Sequence, residues 1–533
     1  MEILQAFGIH EKVTKRWQPA TDEMLWLRGK DEKLTRTERL RAHPPYGIRW
    51  THGTLQQGEV EEIIKRRVKK ISSVTVEYDT SLCALDFETQ QLSSPDAYPC
   101  LVSLQSTRGG VTQVERVRSK YVIGADGGKS TTRALLGFDM LGEQGSSIWG
   151  VMDFKGASDF PDFGATSIIR SDIDGAVDFV RREDGLVRMY VELNKGQGWE
   201  NIKREEITPE LISSKCRYLL RPYTLEVNEC IWWSAFTATQ RFSNATSKHR
   251  HVFLVGDAIH THSPLTGMGM NTSIQDSYNL AWKLAGVIKS QLKPEILDTY
   301  SKERGPVAQQ LLEADRTCLE LFATPFGSET SSILERAEDL MTFLAGRGIC
   351  YSDPFLTSSS LQELGLFKPG VTLPAEIVTN HATGRSVSIH NCLKSDGAWS
   401  LIVFSGDISC PDQMKRLHAW VTELYASPTA TLLKLSGLLD ALLVHCAPWN
   451  AVNLSDFPSV FLPMHEVTGR DYDKIYLDEG NFYVDAGLDR KSGGAVLVRP
   501  DRHIGWVGTL DGIAFLEQYL STVFQVGTQS LEK

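Results

Sequence analysis

Residues 251–271 read "HVFLVGDAIHTHSPLTGMGMN", and the way this stretch is built decides the fold. Residues 252–255 are a short apolar run of the length of a buried strand. The run breaks at Gly256 and Asp257, and order returns only after Pro264, Gly267 and Gly269. The next segment, "NTSIQDSYNLAWKLAGVI", gives a helix whose apolar side carries Ile274, Tyr278, Leu280, Ala281, Leu284 and Val287. An aspartate at the carboxyl end of a strand sits where open α/β sheets bind ligands, so Asp257 can accept bonds from a ligand's hydroxyls. Gly267, Gly269, Met270 and Asn271 run straight into the helix. Their backbone N–H groups and the positive end of the helix dipole therefore face the same crevice, and an anion, or a ring that becomes anionic, is stabilised there.

A second glycine turn lies upstream. In "SKYVIGADGGKSTTRALLGF" an apolar run at 121–123 meets Gly124, Asp126, Gly127 and Gly128, then a helix carrying Arg133, Leu135 and Leu136. A strand ending in glycines at the mouth of a helix exposes free N–H groups, which suits a phosphate or another polar ligand. Between the two turns, "GAVDFVRR", "LVRMYVEL" and "ECIWWSAFTATQRF" alternate as a mainly antiparallel sheet does, a wall suited to a pocket.

Working outward, "MEILQAFGI" forms a short helix that stops at Gly8. The "THGTLQQGEVEEIIKRRVKKI" segment forms an amphipathic helix with Val60, Ile63, Ile64, Val68 and Ile71 on one face. "SVTVEY" and "CLVSLQS" read as strands. Helices are expected from about 294 to 345. "LFKPGVTLPAE" then reads as a linker, and "AWSLIVFSGD", a helix near 411–425, an apolar segment near 440 and a final helix give a separate α/β domain.

The totals narrow the class. With 533 residues, 41% hydrophobic and 23% charged, the chain is globular and has more than two domains' worth of length. A net charge of −10 with no long basic run disfavours nucleic acid. The nine cysteines, 83, 100, 216, 230, 318, 350, 392, 410 and 446, lack the close pairs of a zinc site or a redox CxxC, and read as core thiols of a reducing compartment. Residues 1–17 lack the apolar core of a signal peptide and no run reaches 18 apolar residues, so a cytoplasmic protein with no membrane partner is expected.

The order strand, "GDAIHTHSP", "GMGMN", "QDSYNLAWKL", preceded by "GADGGKSTTR", is a specific constellation. Through it the chain resembles, from residue 1 to its C-terminus, the class A FAD-dependent aromatic hydroxylases, in particular the fungal phenol 2-monooxygenase-like branch. The resemblance implies FAD as cofactor and NAD(P)H as co-substrate. The nicotinamide reduces the flavin, O2 is taken up there, and one oxygen atom passes to an electron-rich ring of a small aromatic or polyketide-derived substrate in secondary metabolism. It puts Asp126, Gly127, Ser130 and Arg133 near the flavin pyrophosphate and the nicotinamide route, and Gly256 and Asp257 at the ribityl chain. Gly267, Gly269, Met270 and Asn271 fall beside the flavin pyrimidine, with Gln57 close by.

The implied fold is α/β and α+β. A Rossmann-like FAD-binding domain spans 1–145 and 246–345, an antiparallel substrate sheet spans 146–245, and a thioredoxin-like domain at 370–533 serves packing and dimerisation. A homodimer is expected.

Two departures from the family bear on function. The family opens with a strand, a G-x-G-x-x-G turn and a helix. Here "GMGMNT", "GQGWEN" and "GRGICY" all lack the last glycine, so the first βαβ unit is expected to be missing. The chain then reads as an N-terminally short hydroxylase, as a flavin-free pseudo-monooxygenase acting as a cyclase or isomerase, or as a non-catalytic binding subunit. Secondly, Phe236 stands where the family often has a tyrosine that bonds the substrate oxygen, which a phenyl ring cannot do; a larger, more apolar substrate is expected. Phe236, His260 and Pro264 are pocket candidates. His260 and His262 have no third ligand nearby in sequence, so no metal is expected.

Overall fold

Strand Val252–Leu254 lies parallel to Val122–Gly124, pairing Val252 with Val122 and Leu254 with Gly124. Val252, Phe253 and Leu254 are fully buried, as a strand covered on both faces requires. The two glycine turns therefore leave neighbouring strands of one parallel pair at the same end, the Rossmann-like element that the sequence implies. The computed structural model describes every residue except 21, 30, 42–49, 51, 72, 93, 95, 324–339, 341, 347, 360–363, 429–436, 466, 468, 481 and 526–533.

Beside this pair stands an eight-stranded, mostly antiparallel sheet. Its strands across the sheet are His260–Thr261, Leu225–Ser243, Met140–Ser158, Val187–Glu192, Gly175–Arg181, Thr166–Ser171, Asp22–Arg28 and Leu34–Arg41. It reaches outside residues 146–245 at both ends. Asp22–Arg28 joins it parallel to Thr166–Ser171, and His260–Thr261 ties the 251–271 stretch to its other edge. One face carries Met152, Phe154, Val177, Phe179, Met189 and Val191 against Ile212, Cys216, Leu219 and Leu220 of the Pro209–Leu220 helix. Thr208 caps that helix by accepting from the Leu211 amide, and Pro209 starts it. Each large aliphatic side chain buried there contributes about 1.5–3 kcal/mol relative to exposure. The opposite face carries Trp149, Val151, Ala176 and Tyr190, with Phe236 and Leu265 packed on them. Leu265 belongs to the Pro264–Thr266 turn, so this face looks at the loop between the buried strand and the long helix.

The C-terminal region has the thioredoxin-like order. Strand Trp399–Gly406, helix Pro411–Ala426 and parallel strand Leu439–His445 are followed by the antiparallel pair Gly494–Val498 and Ile504–Gly508 and a last helix, Ala514–Val523.

Some expectations fail. Residues 73–78 form no strand; Val74, Val76 and Tyr78 are exposed, and the first strand of the following meander is Thr80–Phe87. Alternation alone does not make a strand where nothing covers its apolar face. The 366–376 segment is no free linker. Phe367 and Leu373 lie in the C-terminal core, and the Gly370 amide donates to the Ile504 carbonyl at 2.7 Å. Of the cysteines, Cys100, Cys216 and Cys446 are buried, whereas Cys83, Cys230, Cys350 and Cys410 are exposed. Helix Asp298–Ala323 matches the expected helical region; residues 324–339 of that region lie outside the described residues.

Candidate active site

Gly256 leaves the strand with φ +60°, in the left-handed region, and a side chain there would meet Ser273 at 2.7 Å. Only glycine therefore lets the chain turn this close to the following helix. Asp257 is exposed at that turn, free to face a ligand. The chain then crosses to the sheet through His260–Thr261 and turns again at Pro264–Thr266. Asp315 of the Asp298–Ala323 helix fixes this second turn: it accepts from the Ser263 amide (3.1 Å), the Ser263 hydroxyl (2.5 Å) and Gln240 Nε2 (2.9 Å). Pro264 is thus held rigidly above the sheet.

Gly267 follows with φ +65° and nothing within 4 Å of a built Cβ, so its backbone opens onto space. The helix Gly269–Ile288 then starts at Met268 with no side-chain cap. The N–H groups of Gly269, Met270 and Asn271 have no partner within their own helix and point out of its end. A 20-residue helix that starts with uncapped amides beside an open glycine could hold a planar acceptor-bearing group such as a flavin pyrimidine. The four residues expected beside that ring are together.

The "ADGG" turn adjoins. A side chain at Gly128 would meet Thr261 at 3.1 Å, and one at Gly269 would meet His262 at 3.2 Å, so the two turns and the crossing strand are packed edge to edge. Asp126 turns inward. Its carboxylate accepts from the Ser130 hydroxyl and from the Thr132 amide (2.8 Å) and hydroxyl (2.9 Å). Burial raises its pKa, but these bonds outweigh that and hold the carboxyl below its usual value. Arg133 is buried and spans the turns, donating to the Ala258 carbonyl (3.0 Å) and the Gly128 carbonyl (2.8 Å). Asp126 and Arg133 brace the backbone, while Gly127, with φ +80° and open space at its Cβ, offers the contact surface. Between this turn and the sheet lies a cleft of about 570 Å³ lined by Lys129, Arg133, Met140, Arg204, Phe236 and Arg241 among others.

Placement of the remaining expected residues differs. His260 does not line the cleft; it is buried, and its Nε2 bonds Asp276 at 3.0 Å. Gln57 is exposed at the start of the Gln57–Val68 helix, which packs with the two N-terminal helices. It makes no side-chain hydrogen bond among the described residues. Phe236 does lie on the sheet wall facing Leu265. Tyr190, on the same wall, was not read from the sequence. Its hydroxyl lies 3.3 Å from Arg188 Nη1, and Asp153 holds Arg188 through two bonds of 2.7 Å. The alternation of "LVRMYVEL" contained the signal, because Arg188, Tyr190 and Glu192 share one face once Val187, Met189 and Val191 go to the core.

Comparison with known proteins gives the family. Residues 1–315 match the FAD binding domain family, and residues 349–528 match the phenol hydroxylase C-terminal dimerisation domain. The chain belongs to the FAD-dependent monooxygenases. FAD is its cofactor, and the Gly256–Asn271 loop with the "ADGG" turn fits it. This monooxygenase is 50% identical to the FAD-dependent monooxygenase hkm7 of Aspergillus hancockii, over 98% of this chain and 99% of that one. It is 32% identical to the phenol 2-monooxygenase fsqG of Aspergillus fumigatus, over 96% and 86%. Its fold is similar to the flavin-dependent monooxygenase PieE, solved with FAD and substrate, at a TM-score of 0.68, 18% identity, and coverage of 98% and 89%. Among the described residues no helix is long and apolar enough to cross a membrane, and no cluster of three metal-ligating side chains occurs.

Proposed function

We propose that this monooxygenase hydroxylates an aromatic or polyketide-derived ring, using NAD(P)H and O2, with the substrate held between the Ser263–Asn271 loop and the sheet face of Trp149, Val151, Tyr190 and Phe236. The observation that carries this reading is Tyr190. Its hydroxyl stands among Trp149, Val151 and Phe236 on the sheet face opposite the turn that leads to residues 267–271. Arg188 presents a guanidinium to its oxygen, and Asp153 keeps that guanidinium from swinging away. Because Arg188 donates to the Tyr190 oxygen, the phenol's own proton is left to donate to a substrate oxygen and fix the ring's orientation. The loss of a hydroxyl at Phe236 is thus supplied from another strand. Trp149, Val151 and Leu265 exclude water from the same space.

FAD, when bound, supplies the redox chemistry and the activation of oxygen. The protein would contribute position: Asp257 for the cofactor's hydroxyls, the open amides at 269–271 for its pyrimidine edge, and Gly127 at its phosphates. The match to a dimerisation domain supports a homodimer assembled through residues 349–528. The name of the phenol 2-monooxygenase relative supports an aromatic substrate.

The test is NAD(P)H oxidation by the FAD-loaded chain against a panel of phenols and polyketide aromatics, with the product mass read in parallel. Substrate-stimulated oxidation with a gain of one oxygen atom supports the reading. Turnover to an isomer or cyclised product without NAD(P)H overturns it.

A further inference from the structure

The flavin turn is held from beneath by one carboxylate. Asp276, in the Gly269–Ile288 helix, accepts from the Gly256 amide (3.1 Å) and His260 Nε2 (3.0 Å) with one oxygen, and from Arg304 Nε (2.6 Å) with the other. Asp276, His260 and Arg304 are buried to within 1% of full. Arg304 faces both ways: its Nη1 donates to the hydroxyl of Tyr351 at 2.9 Å. Tyr351 precedes the C-terminal domain's sheet but belongs to the 349–528 segment, outside the match to the FAD-binding family. Its ring is clamped by His503, with centroids 4.3 Å apart, and by the Arg499 guanidinium at 5.1 Å, and its amide donates to the Gly370 carbonyl at 3.0 Å.

A parallel connection runs one residue away. Glu303, next to Arg304, receives Arg499 Nη1 and Nη2 at 2.6 and 2.9 Å and Lys283 Nζ at 2.6 Å. Arg499 also bonds Asp501, which accepts from Trp282 Nε1 (3.1 Å) and Asn279 Nδ2 (3.3 Å). Two adjacent residues of one helix thus tie the C-terminal domain to the cofactor side. The Glu303 arm anchors the helix; the Arg304 arm reaches the turn.

We infer that Tyr351 is a positioning residue of the flavin site, acting through Arg304 and Asp276 on the Gly256–His260 turn, so that the C-terminal domain shapes the cofactor loop besides serving dimerisation. Without the tyrosine hydroxyl, Arg304 keeps only its Asp276 bond and a long one to Gln275 Oε1 (3.4 Å), and the shared carboxylate is held less firmly in the orientation that points one oxygen at the Gly256 amide. The ribityl-side geometry then depends on a residue 95 positions away in sequence, through three bonds of 2.6 to 3.1 Å. An effect on FAD affinity rests on the loop's assignment as the flavin site; an effect on amide exchange does not.

The experiment is Tyr351→Phe in the full chain, which keeps the ring and its stacking and removes the hydroxyl alone. Hydrogen–deuterium exchange on the ligand-free protein is followed in peptides covering 252–262 and, as a control, 399–406. The expected result is exchange at the turn accelerated about tenfold, an unchanged control peptide, an FAD dissociation constant raised about tenfold, and an unchanged dimer fraction by sedimentation. Arg304→Lys behaves the same way, and the double variant is no worse than either single one, because both break the same connection. Exchange at 252–262 within twofold of wild type overturns the inference, as does equal acceleration in the control peptide or strict additivity of the two substitutions.

Discussion

The Gly256 amide donates to the carboxylate of Asp276 at 3.1 Å, joining the strand-end turn to the helix that follows it 20 residues on. This bond closes the loop Asp257–Asn271 at its base. The glycine's left-handed φ and its contact with Ser273 leave no room for any other residue. A left-handed conformation at a non-glycine residue costs about 1–2 kcal/mol, and the 2.7 Å approach adds to it. Gly256→Ala is expected to weaken FAD binding by at least about tenfold, and Ser273→Gly in the same chain to recover part of the loss. Fluorescence titration of FAD checks both; no recovery in the double variant means the defect is not steric.

Beside the packing of Trp282 on Trp399, the contact between cofactor side and C-terminal domain contains a fully buried ionic group. Lys283, Glu303 and Arg499 have no exposed side-chain surface. Burial disfavours the Glu303 charge, but Arg499 and Lys283 outweigh it and hold the carboxyl down at about 2. Breaking such a group by removing one partner leaves the others buried and uncompensated, at a cost of about 3–5 kcal/mol. Glu303→Gln is therefore expected to lower the denaturant midpoint strongly, whereas Glu313→Gln, an exposed partner of Arg316 on the same helix, is expected to change stability by under about 1 kcal/mol. Urea unfolding of both variants decides.

Asp178 sits among the side chains on the loop-facing side of the sheet, cross-strand from Tyr190, and its Oδ1 has no hydrogen-bond partner among the described residues. Burial, with the nearby Glu23 carboxylate, pushes it up to about 8 from an ordinary 3.8. Its raised value means the fold binds a proton that the unfolded chain releases. The associated stability is complete below about pH 4 and is lost as pH climbs through about 8. Asp178→Asn removes this dependence. The unfolding free energy of the variant minus that of wild type is expected to grow between about pH 5 and 8, by an amount on the order of a few kcal/mol. Urea unfolding across that range checks it, and a pH-independent difference contradicts the burial argument.

If Tyr190 holds the substrate hydroxyl, Tyr190→Phe keeps the ring and loses the hydrogen bond to the substrate oxygen. The expected outcome is a fall in kcat of about 10²-fold or more, with FAD affinity unchanged. Arg188→Met is expected to follow Tyr190→Phe, since it removes the donor that orients the same hydroxyl. Steady-state kinetics with a phenolic substrate tests this, and a KM effect alone would assign Tyr190 to binding.

The strand, Gly-Asp turn, glycine pair and helix were legible from local backbone chemistry, positive φ at Gly256 and Gly267 and apolar periodicity from 274 to 287, but the helix face was not: Ala281 is exposed, and Thr272, Asp276, Asn279 and Lys283 are buried with Leu280 and Leu284. The antiparallel sheet was legible in its middle for the same reason. Asp22–Arg28 was not, because joining a sheet parallel to Thr166–Ser171 leaves no mark within seven residues. Tyr190 was hidden because alternation gives two faces without saying which one meets the loop. Arg304, Asp276 and Tyr351 were hidden further, since their bonds span 28 and 47 residues. Arg499 and Asp501 take their structural role from burial against Glu303 and Trp282, across more than 190 residues of sequence. His260 shows the converse: its position in the loop suggested a pocket residue, but its ring serves the carboxylate beneath.

The most direct measurement is a titration of the purified chain with FAD, read by quenching of flavin fluorescence and by the visible spectrum, in wild type and in Asp257→Ala. The expected result is a yellow complex of one FAD per chain with resolved flavin bands, whose affinity falls at least about tenfold in the variant. A colourless chain that leaves the flavin spectrum unperturbed at saturating FAD would contradict the assignment of residues 256–271 as the cofactor's cradle.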